Sequence, residues 1–415
     1  MYAEIIINSD ALEVDRLFTY KVPEELQWII SAGHRVMVPF GMGNKKVEGF
    51  VYSLITDDIE ITYRIKNIVK LCDDEPILTI DDLKLIVFLR KKYLCRYIDA
   101  VRLMIPAGIM KGSTNKKKKV ICISRNLDTS SEVKENYIKL YNYILENDGI
   151  YTKADITRDK QYSLYTLNKM ISEGFFKVED KVVFRYNERR YDEDRKKELT
   201  DEQQKCLNTI LNGRELKYLI KGVTGSGKTE VYMNLVEEIL NEGKSAVVLV
   251  PEISLTPQMI ERFKGRFGSD VALFHSRLSD GERFDEWYRI KEGKARLVIG
   301  ARSALFLPLN NLGLIIIDEE HENTYKSDQN PKYHTREVSE YLCTLKNCKL
   351  VLGSATPSIE TYYKALMGEY KLIEMKKRVN GSRMPHMDIV DMRDELKSRN
   401  LSLFSRKLYL SLIHI

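Results

Sequence analysis

The stretch from Gly222 to Thr229 constrains the fold of this chain more than any other part of its sequence. It matches the phosphate-loop pattern G-x-x-x-x-G-K-S/T. An apolar run at 218–220 precedes it, and apolar residues recur with helical spacing over 230–241. A strand that leads through such a loop into a helix is typical of an α/β domain. From about residue 199 onward we therefore predict a parallel sheet that is buried on both faces.

Short apolar runs elsewhere in this region support the same fold. They alternate with helical patterns, as the strands of a parallel sheet do. The predicted strands are 217–220, 247–250, 271–274, 297–299, 314–317 and 350–352.

The phosphate loop has the residue types that bind a nucleoside triphosphate. Its glycines let the main chain wrap closely around a phosphate and direct N–H groups at it. Lys228 would reach the β- and γ-phosphates, and the hydroxyl of Thr229 would coordinate Mg²⁺. The other predicted nucleotide contacts are in the same loop: Gly222, Thr224, Gly225, Ser226 and Gly227. ATP with Mg²⁺ is the predicted ligand, and an ordinary glycine-rich turn is the alternative.

Acidic residues follow directly after the apolar strand at 314–317. Because the carboxyl ends of parallel strands meet at one edge of a sheet, we expect these acids beside the phosphate loop. Asp318 is expected to bind Mg²⁺, and Glu319 to position and deprotonate an attacking water. Together with Lys228 they form the predicted catalytic set for nucleoside triphosphate hydrolysis. A solvated strand end is the alternative interpretation.

The N-terminal part lacks this α/β pattern. Residues 1–108 are predicted to form a β-rich domain, because apolar stretches alternate in type and are separated by turn residues. A hairpin turn is predicted at 41–46, and helical periodicity is present over 81–97.

Residues 109–192 are predicted to form a winged-helix domain with its linkers. Two helical patterns are followed by a hairpin over 176–184, with its turn at Glu179 and Asp180. The lysine run at 116–119 is predicted to be a linker, either solvated or in contact with phosphates. A winged helix binds DNA in some proteins and is a packing module in others, so the fold alone does not decide its role.

Composition argues against several classes of protein. No apolar run approaches the ~18 residues of a membrane helix, and no basic segment precedes the first apolar stretch. A cytoplasmic protein with no membrane partner is therefore predicted. The six cysteines include no Cys-x-x-Cys pair, which argues against a disulfide framework or a zinc site built from them. The net charge of +6 permits a polyanionic partner without requiring one.

Further motifs follow in the order found in superfamily 2 helicases. Residues 318–321 form a DExH box, and Gln203 lies where these helicases carry a glutamine that reads adenine. Three other stretches resemble helicase motifs Ia, Ib and III: 249–258, 300–306 and 353–358. Residues 193–378 are therefore identified as a RecA-like helicase lobe 1.

The chain as a whole resembles the PriA family of bacterial replication-restart helicases. Matching stretches lie at 18–23 and 33–41, at 274–283, and at 318–336, which corresponds to the aromatic-rich loop of that family. The resemblance implies a 3′-end DNA-binding domain, then a winged-helix domain, then helicase lobe 1. It also implies an ATP-dependent 3′–5′ DNA helicase that recognises stalled forks and initiates primosome assembly. The implied partners are forked and single-stranded DNA, primosome proteins and single-stranded-DNA-binding protein.

The resemblance assigns DNA contacts in two regions. In the N-terminal domain, aromatic rings would stack on bases, a glycine would allow close approach and a lysine would meet a phosphate: Phe18, Tyr20, Gly33 and Lys66. In the helicase lobe, Arg302 and Ser303 would touch the DNA backbone. Three residues of a loop whose aromatic rings stack on bases would report DNA occupancy to the ATP site: Tyr325, Lys326 and Tyr333. Ser354 and Thr356 would couple phosphate state to lobe movement. The alternatives are core aromatics, a turn glycine, surface lysines and a capped turn.

Two departures from the family pattern bear on these expectations. Thr19 stands where many members have an aspartate that helps to recognise a DNA 3′-hydroxyl, so that contact is expected to be weaker or different. The family also continues with a cysteine-rich zinc module and a second helicase lobe. Residues 379–415 are thus expected to be the truncated start of the second-lobe region, without the Zn²⁺ ligands. Such a chain would bind forked DNA yet hydrolyse ATP negligibly.

Two other functions remain open. One is a different superfamily 2 nucleic-acid translocase, such as an RNA helicase or a restriction-type enzyme, which would lack the pattern between Phe18 and Gly41. The other is a non-enzymatic fragment that binds fork DNA.

Overall fold

The structure, a computed structural model, describes residues 1–56, 65–110, 117–127, 134–158, 162–182, 191–379, 381 and 387–414. Lys116 of the lysine run, the end of the hairpin predicted at 176–184 and the first part (185–190) of the charged linker predicted over 185–197 lie outside these residues. Three sheets are present in the described part, with five, seven and two strands.

The N-terminal sheet is antiparallel. Its strands are β1 (Tyr2–Ile7), β2 (Leu17–Lys21), β3 (Arg35–Phe40), β4 (Lys45–Ile55) and β5 (Lys70–Leu71), in the order β2-β1-β4-β3-β5. Strands β3 and β4 pair through Phe40 and Lys45, so the turn predicted at 41–46 joins a hairpin. The predicted β-rich N-terminal domain is confirmed.

Three helices follow this sheet. They are α1 (Ile80–Tyr93), α2 (Tyr97–Met104) and α3 (Ala107–Met110). The single helix predicted over 81–97 is wrong at its end, because Leu94 adopts a left-handed conformation with φ of 51° and closes α1. The chain then restarts as α2, which is capped by the carboxylate of Asp99.

The small domain after residue 110 has a different wing from the one predicted. Its elements are β6 (Lys117–Ile123), α4 (Glu135–Glu146), α5 (Lys153–Arg158), α6 (Leu164–Ser172) and β7 (Phe176–Val182). No turn forms at Glu179 and Asp180, since β7 is one strand that pairs antiparallel with β6. The lysines at 117–119 lie in β6 and are not a linker. The sequence pattern fits either structure, and pairing with the distant segment decides between them.

The C-terminal half of the described chain is an α/β domain around a seven-stranded parallel sheet. The strands are β8 (Lys217–Gly222), β9 (Ser245–Leu249), β10 (Val271–Phe274), β11 (Leu297–Gly300), β12 (Leu312–Asp318), β13 (Lys349–Ser354) and β14 (Lys371–Met375). Their order is β10-β11-β9-β12-β13-β8-β14. The predicted RecA-like fold class is confirmed, and each of the six predicted strands coincides with an observed one. The edge strand β14 was not predicted, because only Met375 in it is buried and it lacks a continuous apolar run.

Helices cover both faces of this sheet. They are α7 (Asp201–Asn212), α8 (Lys228–Asn241), α9 (Pro257–Phe267), α10 (Asp280–Lys291), α11 (Thr335–Lys346) and α12 (Ile359–Leu366). Two further helices, α13 (Met392–Lys397) and α14 (Arg406–His414), have no buried residue. In the described ranges no helix has both the length and the apolar content needed to cross a membrane.

The N-terminal helices pack directly against the α/β domain. One cluster of buried apolar side chains includes residues of both regions. The indole of Trp287 in α10 donates a hydrogen bond to the carbonyl of Met104 over 2.9 Å. The rings of Phe88 in α1 and Tyr341 in α11 stack with centroids 4.0 Å apart. The β-rich domain is therefore attached to the α/β domain through a shared core.

Candidate nucleotide site and nucleic-acid surfaces

The phosphate loop joins β8 to α8 at the carboxyl edge of the sheet. Gly225 and Gly227 have φ values of +82° and +80°, which glycine adopts without strain. A Cβ atom on Gly227 would lie 2.2 Å from Nε2 of Gln203. Glycine is therefore required here both by the backbone conformation and by the close packing of α7 against the loop.

Lys228 and the acids after β12 meet beside this loop. The Nζ of Lys228 donates a hydrogen bond to the carbonyl of Gly222 over 3.0 Å and lies 3.9 Å from Oε1 of Glu319. The side chain of Lys228 is buried. The hydroxyl of Tyr232 in α8 donates to Oδ1 of Asp318 over 3.0 Å. The structure thus brings together the three residues predicted to be catalytic.

The environment of the two acids is unusual. Burial raises the pKa of Asp318 to about 6, and the nearby charge of Glu319 acts in the same direction. The hydrogen bond from Tyr232 and the charge of Lys228 oppose this shift. Glu319 has a φ of +46°, a left-handed conformation that is uncommon for a non-glycine residue. Such strain is typical of functional sites and is held in place by the surrounding structure.

The residues of this site fit a magnesium-bound nucleoside triphosphate. The hydroxyl oxygen of Ser226 is buried and has no hydrogen-bond partner within the described part of the chain. A phosphate oxygen is a partner of the kind that this hydroxyl needs. Thr229 and Asp318 supply hard oxygen ligands of the type that Mg²⁺ prefers. Over the described ranges no group of three or more His, Cys, Asp or Glu side chains is placed to hold a metal ion.

Gln203 is part of the wall of the phosphate loop. With Thr200 it forms a reciprocal cap at the start of α7, and its Nε2 donates to the carbonyl of Ser226 over 3.0 Å. The amide is buried. Its predicted contact with adenine stays a prediction, and the structure adds a contact with the loop itself.

The stretch called motif III contacts the DExH box. The Oγ of Ser354 lies 2.8 Å from Nδ1 of His321 and accepts a hydrogen bond from the main chain of Thr356 over 3.0 Å. Thr356 itself is exposed. The hydrogen bond to His321 is a physical connection of the kind that the predicted coupling role of Ser354 needs.

Glu320 is a structural residue that sequence reasoning missed. Its side chain is 2% exposed and accepts hydrogen bonds from Ser358 and Thr361 at the start of α12, at 2.7 Å from the Ser358 nitrogen. Arg336 lies 3.5 Å from the same carboxylate. In the sequence, Ser358 is followed by a helical pattern, which indicates the start of a helix. The pattern does not indicate that Glu320 accepts the hydrogen bonds of this helix start.

Two tyrosines of the aromatic-rich loop are buried, contrary to their expected contact with DNA. Tyr325 is 1% exposed and Tyr333 is 2% exposed, and the ring of Tyr333 packs edge-on against Phe306. Buried rings cannot offer a face to a base, so the expectation that these two tyrosines stack on DNA does not fit this structure. The hydroxyl of Tyr325 lies within hydrogen-bonding distance of the carbonyls of Asp318 and Leu249. This contact joins the loop to the acidic end of β12.

The other predicted DNA contacts of this lobe lie at its surface. The guanidinium of Arg302 donates to the carbonyls of Thr324 and Lys326, so it also holds the loop in shape. Ser303 and Lys326 are exposed. A cavity of about 190 Å³ adjoins Arg302 and is also lined by Glu252. Contact of these residues with DNA stays a prediction.

In the N-terminal domain, three of the four predicted DNA residues share one cavity of about 280 Å³. Its lining consists of Phe18, Thr19, Tyr20, Pro39, Phe40, Gly41, Ile65 and Lys66. The Nζ of Lys66 donates to the carbonyl of Gly41 over 2.7 Å, and the rings of Phe18 and Phe40 meet edge to face. Burial raises the pKa of Tyr20 to about 12, so its hydroxyl remains a hydrogen-bond donor.

Gly33, the fourth residue, has a structural role of its own. It adopts φ of +91°, and a Cβ atom there would lie 1.8 Å from the carbonyl oxygen of Leu78. Its own carbonyl accepts hydrogen bonds from the main chain of Ile77 and Leu78. The close approach that requires glycine here is to the chain itself, and contact of Gly33 with DNA stays a prediction.

Comparison with known proteins matches both the N-terminal region and the α/β domain to sequence families. The sequence model of the PriA 3′DNA-binding domain (3′BD) matches residues 4–106, and that of the DEAD/DEAH box helicase matches residues 200–365. The replication restart protein PriA of Bacillus subtilis is 36% identical, in an alignment that covers 98% of this chain and 60% of the relative. The corresponding protein of Chlamydia trachomatis is 32% identical, with 98% and 56% covered. The chain spans little more than half the length of these relatives, and by these matches it belongs to the PriA family.

Proposed function

We propose that this chain supplies the DNA-end-binding and ATP-binding parts of an ATP-dependent helicase that moves 3′ to 5′ on DNA and acts in replication restart. One observation carries the proposal. The phosphate loop and the acidic end of β12 meet, with Nζ of Lys228 lying 3.9 Å from Oε1 of Glu319. Forked DNA, primosome proteins and single-stranded-DNA-binding protein are the proposed partners, in keeping with the named role of the relatives.

The residues of the site have distinct tasks in this proposal. Lys228 and the main-chain N–H groups of the phosphate loop bind the phosphates and offset their charge. Glu319 orients a water molecule and accepts its proton. Thr229 and Asp318 hold Mg²⁺, which when bound neutralises charge on the phosphate oxygens. The salt bridge between Lys228 and Glu319 keeps both side chains in place before the nucleotide enters.

The N-terminal cavity is proposed to hold the 3′ end of a DNA strand. It combines aromatic rings, which stack on bases irrespective of sequence, with the cationic Lys66 for a phosphate. Thr19 offers a hydroxyl where many family members have a carboxylate. We expect Phe18→Ala to weaken binding of forked DNA with a free 3′ end and to leave nucleotide binding unchanged. Equal binding of an RNA fork would favour a different superfamily 2 translocase.

The nucleotide site is tested by binding of a fluorescent ATP analogue to the 415-residue chain. Lys228→Ala removes a charge-assisted hydrogen bond worth about 1.5–3 kcal/mol, so affinity should fall about 10- to 150-fold. Lys205→Ala, on the exposed side of α7, is the matched control and should bind like the parent chain. Both variants should bind forked DNA normally. Unchanged nucleotide affinity in Lys228→Ala would refute the site, and no binding by the parent chain would favour a non-enzymatic DNA-binding role.

Hydrolysis is a separate question from binding. In this enzyme class an arginine finger contributes about 10³–10⁵ to the rate, and we propose that the second helicase lobe supplies it. The 415-residue chain should therefore bind ATP but turn it over very slowly with or without DNA. Strong DNA-stimulated hydrolysis by this chain would contradict that part of the proposal.

A further inference from the structure

A tyrosine in the phosphate-loop helix extends to the acidic end of β12. Tyr232 lies in α8, one turn after Thr229, and its side chain is 0% exposed. Its hydroxyl donates to Oδ1 of Asp318 over 3.0 Å. A buried tyrosine hydroxyl needs a partner, and here the partner is the carboxylate that is proposed to hold Mg²⁺.

The neighbouring strand is shaped to admit this hydroxyl. Gly353 in β13 pairs with Asp318 in β12. A Cβ atom on Gly353 would lie 1.7 Å from the hydroxyl oxygen of Tyr232 and 2.9 Å from its Cζ. The oxygen therefore occupies the space that any other residue at 353 would fill. Helix α8 therefore contacts both β12 and β13 through the hydroxyl of Tyr232.

We infer that Tyr232 is a positioning residue, which fixes the rotation of the Asp318 carboxylate and so presets it for the metal of the nucleotide. The inference rests on the proposed function. A free carboxylate rotates about its side-chain bonds, whereas this one is held by a ring that is itself fully buried and rigidly packed. Outer partners of this kind typically contribute 10- to 100-fold to metal affinity.

The experiment separates metal binding from nucleotide binding. Tyr232→Phe removes only the hydroxyl, and Mn²⁺ in place of Mg²⁺ allows the bound metal to be followed by electron paramagnetic resonance. In the presence of ATP, the affinity for Mn²⁺ should fall 10- to 100-fold. Affinity for ATP in EDTA should be unchanged. Tyr218→Phe is the matched control, because Tyr218 is equally buried and its hydroxyl has no partner within the described part of the chain.

A second variant, in β13, tests the same positioning role of Tyr232. Gly353→Ala displaces the hydroxyl, so it should also weaken Mn²⁺ binding more than ATP binding in EDTA. When Gly353→Ala is combined with Tyr232→Phe, the added methyl group should reduce Mn²⁺ affinity much less, because the hydroxyl oxygen that lies closest to it is absent.

The outcomes distinguish this inference from the proposed function. If Tyr232→Phe folds with a normal circular dichroism spectrum and binds Mn²⁺ like the parent chain, the inference is overturned. Equal losses of binding with metal and in EDTA would also overturn it, since a merely structural role predicts them. If Tyr232→Phe does not fold, selective loss of metal binding in Gly353→Ala supports the inference and its absence refutes it. Failure of the proposed function itself would appear as unchanged ATP affinity in Lys228→Ala.

Discussion

The hydroxyl of Tyr325 lies 2.5 Å from the main-chain oxygen of Asp318, so the aromatic-rich loop is attached to the end of the acidic strand. The same hydroxyl lies 3.1 Å from the carbonyl of Leu249, at the end of the adjacent strand β9. Arg302 also contacts the loop, by donating hydrogen bonds to the carbonyls of Thr324 and Lys326. The loop is therefore in direct contact with the main chain that carries the proposed metal ligand.

Tyr325→Phe should destabilise the chain by about 1–3 kcal/mol, because the change removes the hydroxyl donor that the carbonyl oxygens of Asp318 and Leu249 share. The free energy of unfolding in urea measures this cost. Tyr333→Phe, a buried tyrosine of the same loop whose ring contact with Phe306 would survive, is the comparison. We also expect Tyr325→Phe to reduce the effect of DNA on nucleotide affinity. An unchanged DNA effect would show that the hydroxyl does not transmit loop position.

Asp318→Asn should change the pH dependence of stability. Burial raises the pKa of Asp318 to about 6, above its usual value of 3.8, so folding favours the protonated form. The stabilising effect of that proton is complete below pH 3.8 and is lost as pH rises through 6. Without Mg²⁺, the asparagine variant should thus be more stable than the parent at pH 7.5 by about 1–2 kcal/mol. Solvent screening of the partly exposed carboxylate keeps the difference in stability this small.

Urea unfolding of the parent and the Asp318→Asn variant at pH 4.5 and pH 7.5, in EDTA, checks this expectation. The difference between the two proteins should shrink at the lower pH. A difference that stays constant with pH would mean that the carboxylate titrates normally in the folded chain.

Glu320→Ala should be strongly destabilising although Glu320 belongs to the DExH box. The change leaves the start of α12 and the guanidinium of Arg336 without their buried acceptor, at a cost of about 3 kcal/mol. Glu322→Ala, at a partly exposed neighbouring acid, is the control and should cost less than about 0.5 kcal/mol. Thermal unfolding measures both. A small effect of Glu320→Ala would favour a direct role in nucleotide chemistry.

Gly33→Ala should act on stability and not directly on DNA binding. The new methyl group would meet the carbonyl of Leu78 at 1.8 Å, in a backbone conformation that alanine rarely adopts. We expect a loss of at least about 2 kcal/mol in the free energy of unfolding. Gly43→Ala, which has open space around it, should change little. Normal stability combined with lost DNA-end binding would restore the DNA contact that the sequence suggested.

Local patterns in the sequence determined the α/β fold, the phosphate loop and the acids that follow β12. Strand and helix periodicity depends on residues close together in the chain, and a phosphate loop needs its glycines and lysine at fixed spacing. The turn between β3 and β4 was determined in the same way.

Tertiary structure alone decided which side chains are buried and what they meet. The lysines at 117–119 entered a strand because β7 pairs with them, and Tyr325 turned inward because Asp318 and Leu249 offer carbonyl acceptors. The contact of Tyr232 with Asp318 depends on the empty space at Gly353. Such contacts join segments far apart in the chain, and their energies depend on complementary shape and on paired polar groups, which the order of residues along one segment does not record.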